Sequence, residues 1–216
     1  MSLLRSLPTS FPPHTVVVLR VDFNVPLDQD GQILDPLRIT NHKATIDYLR
    51  QSGCKIVLLA HLGKPNGKYN KELSFAPLLD QLEKLLARHI NLQSLQAYQA
   101  TTDVTLIDNV RFFAEEEENE VDFSQKLASL GTIYINDAFS VSHRAHASTV
   151  GITNYLPSFA GPALQKEYNS LAKVLQDPVR PITLIVGGKK VSDKIGVLEH
   201  LAAKVDHILV GGACAN

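Results

Sequence analysis

Residues 15–26 read Thr15-Val-Val-Val-Leu-Arg-Val-Asp-Phe-Asn-Val-Pro26, an apolar run that gives way abruptly to polar side chains. Val and Leu follow one another there without alternation, the pattern of a strand covered on both faces in a parallel sheet. Apolar runs at 55–60, 104–107, 132–135, 182–186 and 207–210 share that character. Amphipathic stretches lie between them. Residues 37–51 place Ile39, His42, Ile46 and Leu49 at helical spacing. Residues 74–88 place Leu78, Leu82 and Leu85 on one face, with Ser74 as a cap and Pro77 in the first turn. Residues 121–130, 163–176 and 191–204 behave alike. Strands alternating with helices predict an α/β fold: a doubly wound parallel sheet in a Rossmann-like three-layer sandwich.

Pro157, Gly161 and Pro162 precede the helical stretch at 163–176, and Asp177, Pro178 and Pro181 close it. Proline stops a helix because it lacks an N–H and restricts the residue before it. The expected organisation is one domain over residues 1–160, an interdomain helix and linker over 161–180, and the incomplete start of a second, similar domain over 181–216. Two strands and one helix are too little to bury an independent core.

The chain has 216 residues, 44% of them hydrophobic, so a substantial core is within reach. Its 21 Lys and Arg residues against 22 Asp and Glu exclude a generally basic nucleic-acid or membrane-surface binder. Cys54 and Cys214 lie far apart in apolar or Gly-rich contexts and read as reduced thiols. Residues 1–13 lack the apolar core of a secretory signal, and no stretch approaches the roughly 20 apolar residues of a membrane span. A soluble cytoplasmic protein is expected.

In open α/β sheets, ligands bind beyond the carboxyl ends of the strands. The first run leads into Asp22-Phe-Asn24, the second into His61-Leu-Gly-Lys64, the third into Asn109-Val-Arg111, and the fourth into Asn136-Asp-Ala-Phe139 followed by His143-Arg144. Three of these four loops deliver a cation, and Arg38 opens the helix after the first. Arg38, His61, Lys64, Arg111 and Arg144 together exceed what one carboxylate needs and suit a small ligand carrying a phosphate and a carboxylate. Asp22 and Asn24 then read as hydroxyl acceptors or as orienters of Arg. His143 and His146 lack a nearby Cys or carboxylate to complete a zinc site, so no metal ligands are assigned and support for Arg144 is the favoured role. The acidic run at 115–118 reads as a solvated helix start. The fifth run ends in Gly187-Gly-Lys-Lys190 and then Lys194, the sixth in Gly211-Gly212. Glycines between a strand and a helix let backbone N–H groups approach an anion, although a tight turn with exposed lysines produces the same pattern.

Five stretches in order, Arg20-Val-Asp-Phe-Asn-Val-Pro26, His61-Leu-Gly-Lys-Pro65, Asn109-Val-Arg-Phe112, Asn136-Asp-Ala-Phe139 with His143-Arg-Ala-His-Ala-Ser148, and Gly187-Gly-Lys-Lys-Val-Ser-Asp-Lys194, resemble the successive signatures of the phosphoglycerate kinase family. The resemblance runs from about residue 15 to residue 216. It implies a two-domain glycolytic kinase that moves a phosphoryl group between 1,3-bisphosphoglycerate and ADP, giving 3-phosphoglycerate and ATP, with Mg2+ carried on the nucleotide. Carried over by motif, the acid-substrate contacts are Asp22, Asn24, Arg38, His61, Lys64, Arg111 and Arg144, with backbone around Phe23, Leu62 and Gly63. Arg38 and Lys190 would be catalytic. Gly188, Lys190, Lys194, Gly211 and Gly212 would face the nucleotide. The resemblance further implies a monomeric complete enzyme, with neither nucleic acid nor membrane as partner. Lys64 stands where the family usually has Arg, Lys189 where it has Ala, and Ser140-Val-Ser-His143 where it has Gly-Thr-Ala-His.

The later motifs for adenine, ribose and magnesium are absent, so the expectation is a truncated form that binds phosphoglycerate and is inactive alone. The alternative is a naturally short, non-catalytic phosphoglycerate-binding module. A generic dinucleotide-dependent dehydrogenase is disfavoured, because no G-x-G-x-x-G follows the first strand.

Overall fold

The computed structural model describes residues 5–99, 102–176, 178–188 and 192–212. The chain divides into two compact units, Met1–Glu167 and Tyr168–Asn216.

In the larger unit, β1 (Val16–Arg20), β2 (Lys55–Leu59), β3 (Asn91–Gln93), β4 (Val104–Ile107), β5 (Ile133–Asn136) and β6 (Ser158–Ala160) form a six-stranded sheet in the order β3-β4-β2-β1-β5-β6. Every pairing in it is parallel. The chain passes from β1 to β2, crosses to the edge at β3, fills the gap with β4, then returns to the other side of β1 at β5. Such a reversal opens a crevice above the carboxyl ends of the two central strands.

Successive residues of β1 bury on opposite faces. Val17, Leu19 and Val21 join one apolar cluster with Ile46 and Leu82, while Val18 joins another with Phe123 and Leu127. Helices α1 (Leu37–Thr40), α2 (Lys43–Gln51) and α3 (Leu79–Leu86) cover the first face, and α5 (Val121–Ala128), which follows α4 (Ala114–Glu117), covers the second. A strand clothed on both sides needs no polar alternation, which is why the runs are continuous. This is the Rossmann-like three-layer architecture that the strand–helix alternation predicts.

Local chemistry sets the helix ends. The Ser74 hydroxyl accepts the Ala76 N–H at 3.1 Å ahead of a 3₁₀ turn containing Pro77, and α3 follows. Glu120 caps α5 by accepting the Phe123 N–H at 2.7 Å. The predicted single helix over 37–51 is broken: Asn41 and His42 separate α1 from α2, and His42 is buried at the break. The edge strands β3 and β6 are three residues each, and neither carries an apolar run long enough to announce it.

Helix α6 (Pro162–Gln176) opens with proline at its first position, where no N–H is needed. A Cβ at Gly161, just before it, would overlap the Asp137 carboxylate. The division between the units falls within this helix. In the smaller unit β7 (Thr183–Gly187) and β8 (His207–Gly211) pair in parallel, with α7 (Ser192–Ala202) between them in sequence. Ile185 and Leu209 are exposed there, whereas Val186 is buried. Cys54 is a buried free thiol, and Cys214 lies outside the described residues. Among the described residues no helix is long and apolar enough to cross a membrane.

Phe75 is fully buried and meets Phe23 edge-on at 6.2 Å, beneath the loop that bears the first polar cluster. Phe75→Ala should therefore cost about 3–5 kcal/mol, read as a lowered urea midpoint. An unchanged midpoint would remove Phe75 from the core.

Candidate functional site

The loops after β1, β2, β4 and β5 meet above the carboxyl edge of the sheet, and a continuous hydrogen-bond path crosses them. Arg38 Nη1 donates to Asp22 Oδ2 at 3.1 Å and to the Asn24 carbonyl at 3.3 Å. Asn24 Oδ1 accepts the Gly63 N–H at 2.9 Å, and the Gly63 carbonyl accepts Arg111 Nη1 at 3.2 Å. Asp22, Asn24, Arg38, Gly63 and Arg111 are thus one connected group. Asp22 acts here as an orienter: its Oδ2 also accepts Ser140 Oγ at 2.7 Å, and its Oδ1 accepts the Asn24 N–H at 3.1 Å. The Arg38 side chain is 51% exposed, so the pair contributes little stability and serves mainly to aim the guanidinium. A cleft of about 420 Å3 adjoins this group, bounded by Asp22, Arg38, His42, Ser140 and the first turn of α6.

Arg111 is the most informative residue. It is buried, yet its Nε and Nη2 bond to no acceptor among the described residues. Glu117 Oε1 lies 3.2 Å from Nε but off the line of the N–H, so the two form an ion pair without a hydrogen bond. Buried donors left unpaired cost on the order of 1–3 kcal/mol each, which marks them as groups built for an outside acceptor. Asn109, itself buried, shapes this loop: its Nδ2 donates to the Leu62 and Leu73 carbonyls at 2.8 and 2.9 Å, and its Oδ1 accepts the Arg111 N–H at 3.1 Å.

His61 is buried against Arg20, whose Nη2 donates to its Nδ1 at 3.1 Å. A guanidinium can only donate, so Nδ1 accepts and the imidazole proton sits on Nε2. Burial, reinforced by Arg20, Arg111 and Arg144, pushes the His61 pKa down to about 2. His61 is a neutral hydrogen-bond donor at physiological pH rather than a cation, which corrects the count of charges at the rim. That Arg144 acts on both His61 and Arg111 places it at the same corner. Lys64 is exposed on the β2 loop. The Phe23 and Leu62 side chains belong to the core, which leaves only their backbone to the site.

Arg20 was not among the candidates. Its guanidinium is fully buried, donating to Ser148 Oγ at 3.0 Å and to the Val21 and Leu59 carbonyls at 2.6 and 3.2 Å. The signal was present: a charge inside a strand covered on both faces must find partners. Glu116 corrects the reading of the acidic run. It is fully buried and accepts the Ser148 N–H at 2.9 Å and the Ser148 hydroxyl at 2.5 Å. Burial pushes its carboxyl up to about 7, against the pull of Arg20 and the Ser148 bonds. Nothing in four consecutive glutamates singles out the second.

In the smaller unit, Gly187 pairs with Gly211, so Gly188 and Gly212 lie side by side beyond the carboxyl ends of β7 and β8. Both have positive φ, +143° and +64°. Lys189 and Lys190 lie outside the described residues. Lys194 falls on α7, and its side chain likewise lies outside the description.

A family model described as phosphoglycerate kinase matches residues 13–216. A phosphoglycerate kinase of Bartonella bacilliformis is 47% identical over 213 residues, covering 93% of this chain and 52% of the relative. One of Moorella thermoacetica is 46% identical over 209 residues, covering 93% and 53%. Among solved structures, phosphoglycerate kinase from Coxiella burnetii superposes with a TM-score of 0.84 at 36% identity, covering 97% of this chain and 55% of that one. The Pyrococcus horikoshii enzyme gives 0.82 at 30%, covering 94% and 54%. The chain thus spans about half the length of the relatives it matches.

Glu116 also sets a pH dependence. Its folded pKa, about 7, lies above the ordinary 4.5, so the protonated carboxyl favours the fold. That contribution is full below about 4.5 and is lost as pH rises through about 7. Glu116→Gln should therefore flatten the fall in stability over that window, measured as urea midpoints at several pH values. An identical slope in both proteins would place the titration elsewhere.

Proposed function

Because the chain belongs to the phosphoglycerate kinase family, we propose that its larger unit holds the acid substrate, 3-phosphoglycerate or 1,3-bisphosphoglycerate, and that its smaller unit contributes one wall of a nucleotide site. In the whole enzyme the phosphoryl group moves between the acyl oxygen of 1,3-bisphosphoglycerate and the terminal phosphate oxygen of ADP, giving 3-phosphoglycerate and ATP. The cytoplasm is the compartment this reading assigns.

The observation that carries the proposal is Arg111. A buried guanidinium with two donors that find no hydrogen-bond acceptor among the described residues, fixed at one edge by the Gly63 carbonyl, is shaped to receive two oxygens of a phosphate or carboxylate. Arg144 and Lys64 add positive charge on the same loops, and the neutral His61 adds a directed Nε2–H. A ligand with an anionic group at each end would reach from this corner toward Arg38, which Asp22 aims from the opposite side of the β1 loop.

Phosphoryl transfer asks little covalent work of a protein. It asks for in-line positioning and for donors on the charge of the moving group. Arg38, exposed and held by its Asp22 bond, is the catalytic cation on the acid side. Lys190 is assigned the corresponding role on the nucleotide side, and Lys194 with Gly188, Gly211 and Gly212 the nucleotide phosphates. Mg2+ would travel with ATP or ADP and screen their phosphate charge; among the described residues no group of acidic, His or Cys side chains is placed to hold a metal. The chain alone is proposed to bind the acid and to transfer nothing.

Calorimetry of the purified chain with 3-phosphoglycerate should show saturable heat, and Arg111→Met should weaken it by at least about tenfold. A folded sample with no heat would overturn the substrate assignment. Robust ATP turnover in a coupled assay with magnesium would overturn the claim that the chain is inactive alone. Lys64→Arg replaces a point charge by a fork and should hold or raise affinity, by up to about 1 kcal/mol. A clear loss would mean that the loop is fitted to lysine.

A further inference from the structure

His42 occupies the break between α1 and α2, where it is buried and lines the cleft together with Asp22 and Arg38. Its Nε2 accepts the backbone N–H of Asp22 at 2.9 Å. An imidazole nitrogen that accepts carries no proton, so Nδ1 is the protonated one, and it donates to Asp137 Oδ2 at 2.8 Å. Asp137 is equally buried and fully engaged. Its Oδ2 also accepts the Thr45 hydroxyl at 2.9 Å, and its Oδ1 accepts the Ala163 N–H in the first turn of α6 at 2.8 Å. A line of hydrogen bonds therefore runs from the first turn of α6 through Asp137 and His42 to the Asp22 backbone, and from the Asp22 carboxylate to Arg38.

We propose that His42 is a positioning residue for Arg38: its imidazole transmits the fixed position of Asp137 to the backbone of Asp22, and so sets the carboxylate that aims the guanidinium. Three observations support it. The imidazole joins the Asp137 carboxylate to the Asp22 N–H, alongside the bond of the Asp137 N–H to the Arg20 carbonyl at 3.0 Å at the end of β1. Both of its nitrogens are used, each in one direction, so the tautomer is fixed and a rotated ring would break both bonds. The exposed Arg38 has little packing of its own, so its direction depends on its bonds to Asp22 and to the Asn24 carbonyl, and Asp22 in turn is held by His42 at its N–H and by Ser140 at its carboxylate. Buried groups that orient others act through geometry, and their loss is felt at the group they hold.

The inference rests on the acid-substrate reading for its binding test but not for its structural one. Asparagine can place an amide near Nδ1 but cannot reach the Asp22 N–H, whereas glutamine can place an oxygen near Nε2. His42→Ala and His42→Asn should weaken 3-phosphoglycerate binding by about five- to tenfold, the equivalent of one buried bond, and His42→Gln should recover most of that loss. In an Arg38→Met background the His42→Asn effect should shrink to below about twofold, because the residue acts through Arg38. Equal weakening by Asn and Gln, or an undiminished effect without Arg38, overturns the proposal.

If the native chain binds no 3-phosphoglycerate, the substrate assignment fails, and the positioning role is judged on the ligand-free protein. There 15N spectra should show the His42 proton on Nδ1 and slow exchange of the Asp22 amide, faster in His42→Asn and slow again in His42→Gln. A proton on Nε2, or a freely exchanging Asp22 amide in the native chain, overturns it. That native measurement also decides the matter should the variants fail to fold.

Discussion

The burial of one guanidinium organises the larger unit. Arg20 ends β1 inside the sheet, where an unpaired charge would be prohibitive, and three of its four side-chain hydrogen bonds reach other segments. Its bond to the Leu59 carbonyl ties the end of β1 to that of β2, and its bond to the adjacent Val21 carbonyl fixes the start of the β1 loop. Its bond to Ser148 reaches the long segment after β5, and its bond to His61 fixes the ring that faces the rim. Burial lowers the Arg20 pKa and raises that of Glu116, and each charge offsets part of the other's penalty. Apolar side chains of similar volume could fill the space, but they could not hold the ends of β1 and β2 and the segment after β5 in register. The cost of burying this network is best understood as the cost of placing the site.

Above that network the site divides into two parts with different physical characters. At one corner Arg111 is immobilised by burial and by the loop that Asn109 shapes. At the other, Arg38 is exposed and is aimed by the hydrogen bonds on Asp22. The first part is rigid because it is packed, the second because it is tethered. Ser140 belongs to the tether: its hydroxyl reaches Asp22 across a sequence separation of 118 residues, at a position where the resemblance leads one to expect glycine.

Much of this was legible in the chain. Continuous Val- and Leu-rich runs gave away strands covered on both faces, and the polar residues just past them marked the functional edge. The edge strands were not legible, because Asn91–Gln93 and Ser158–Ala160 are too short to carry a period. His42 fell on the apolar face with Ile39 and Ile46, and that reading was right about its burial. Helical spacing could not reveal that the helix breaks there, or that both ring nitrogens are bonded. Charge was the poorest guide. A run of glutamates looks like solvated surface, and the inward turn of Glu116 depends on Ser148 and Arg20, neither near it in sequence. His61 looked like one more cation, yet its burial, reinforced by the cations around it, keeps it neutral.

The unequal exposure of the rim cations has a kinetic consequence. Arg38 and Lys64 reach into solvent, where their fields extend to an approaching anion and are screened by salt within about 10 Å. Arg111 is sunk into the loops and meets an anion only after the anion has shed water. For an anion captured at this edge, ionic strength would act chiefly on the rate of arrival, while residence time would be set by the buried fork.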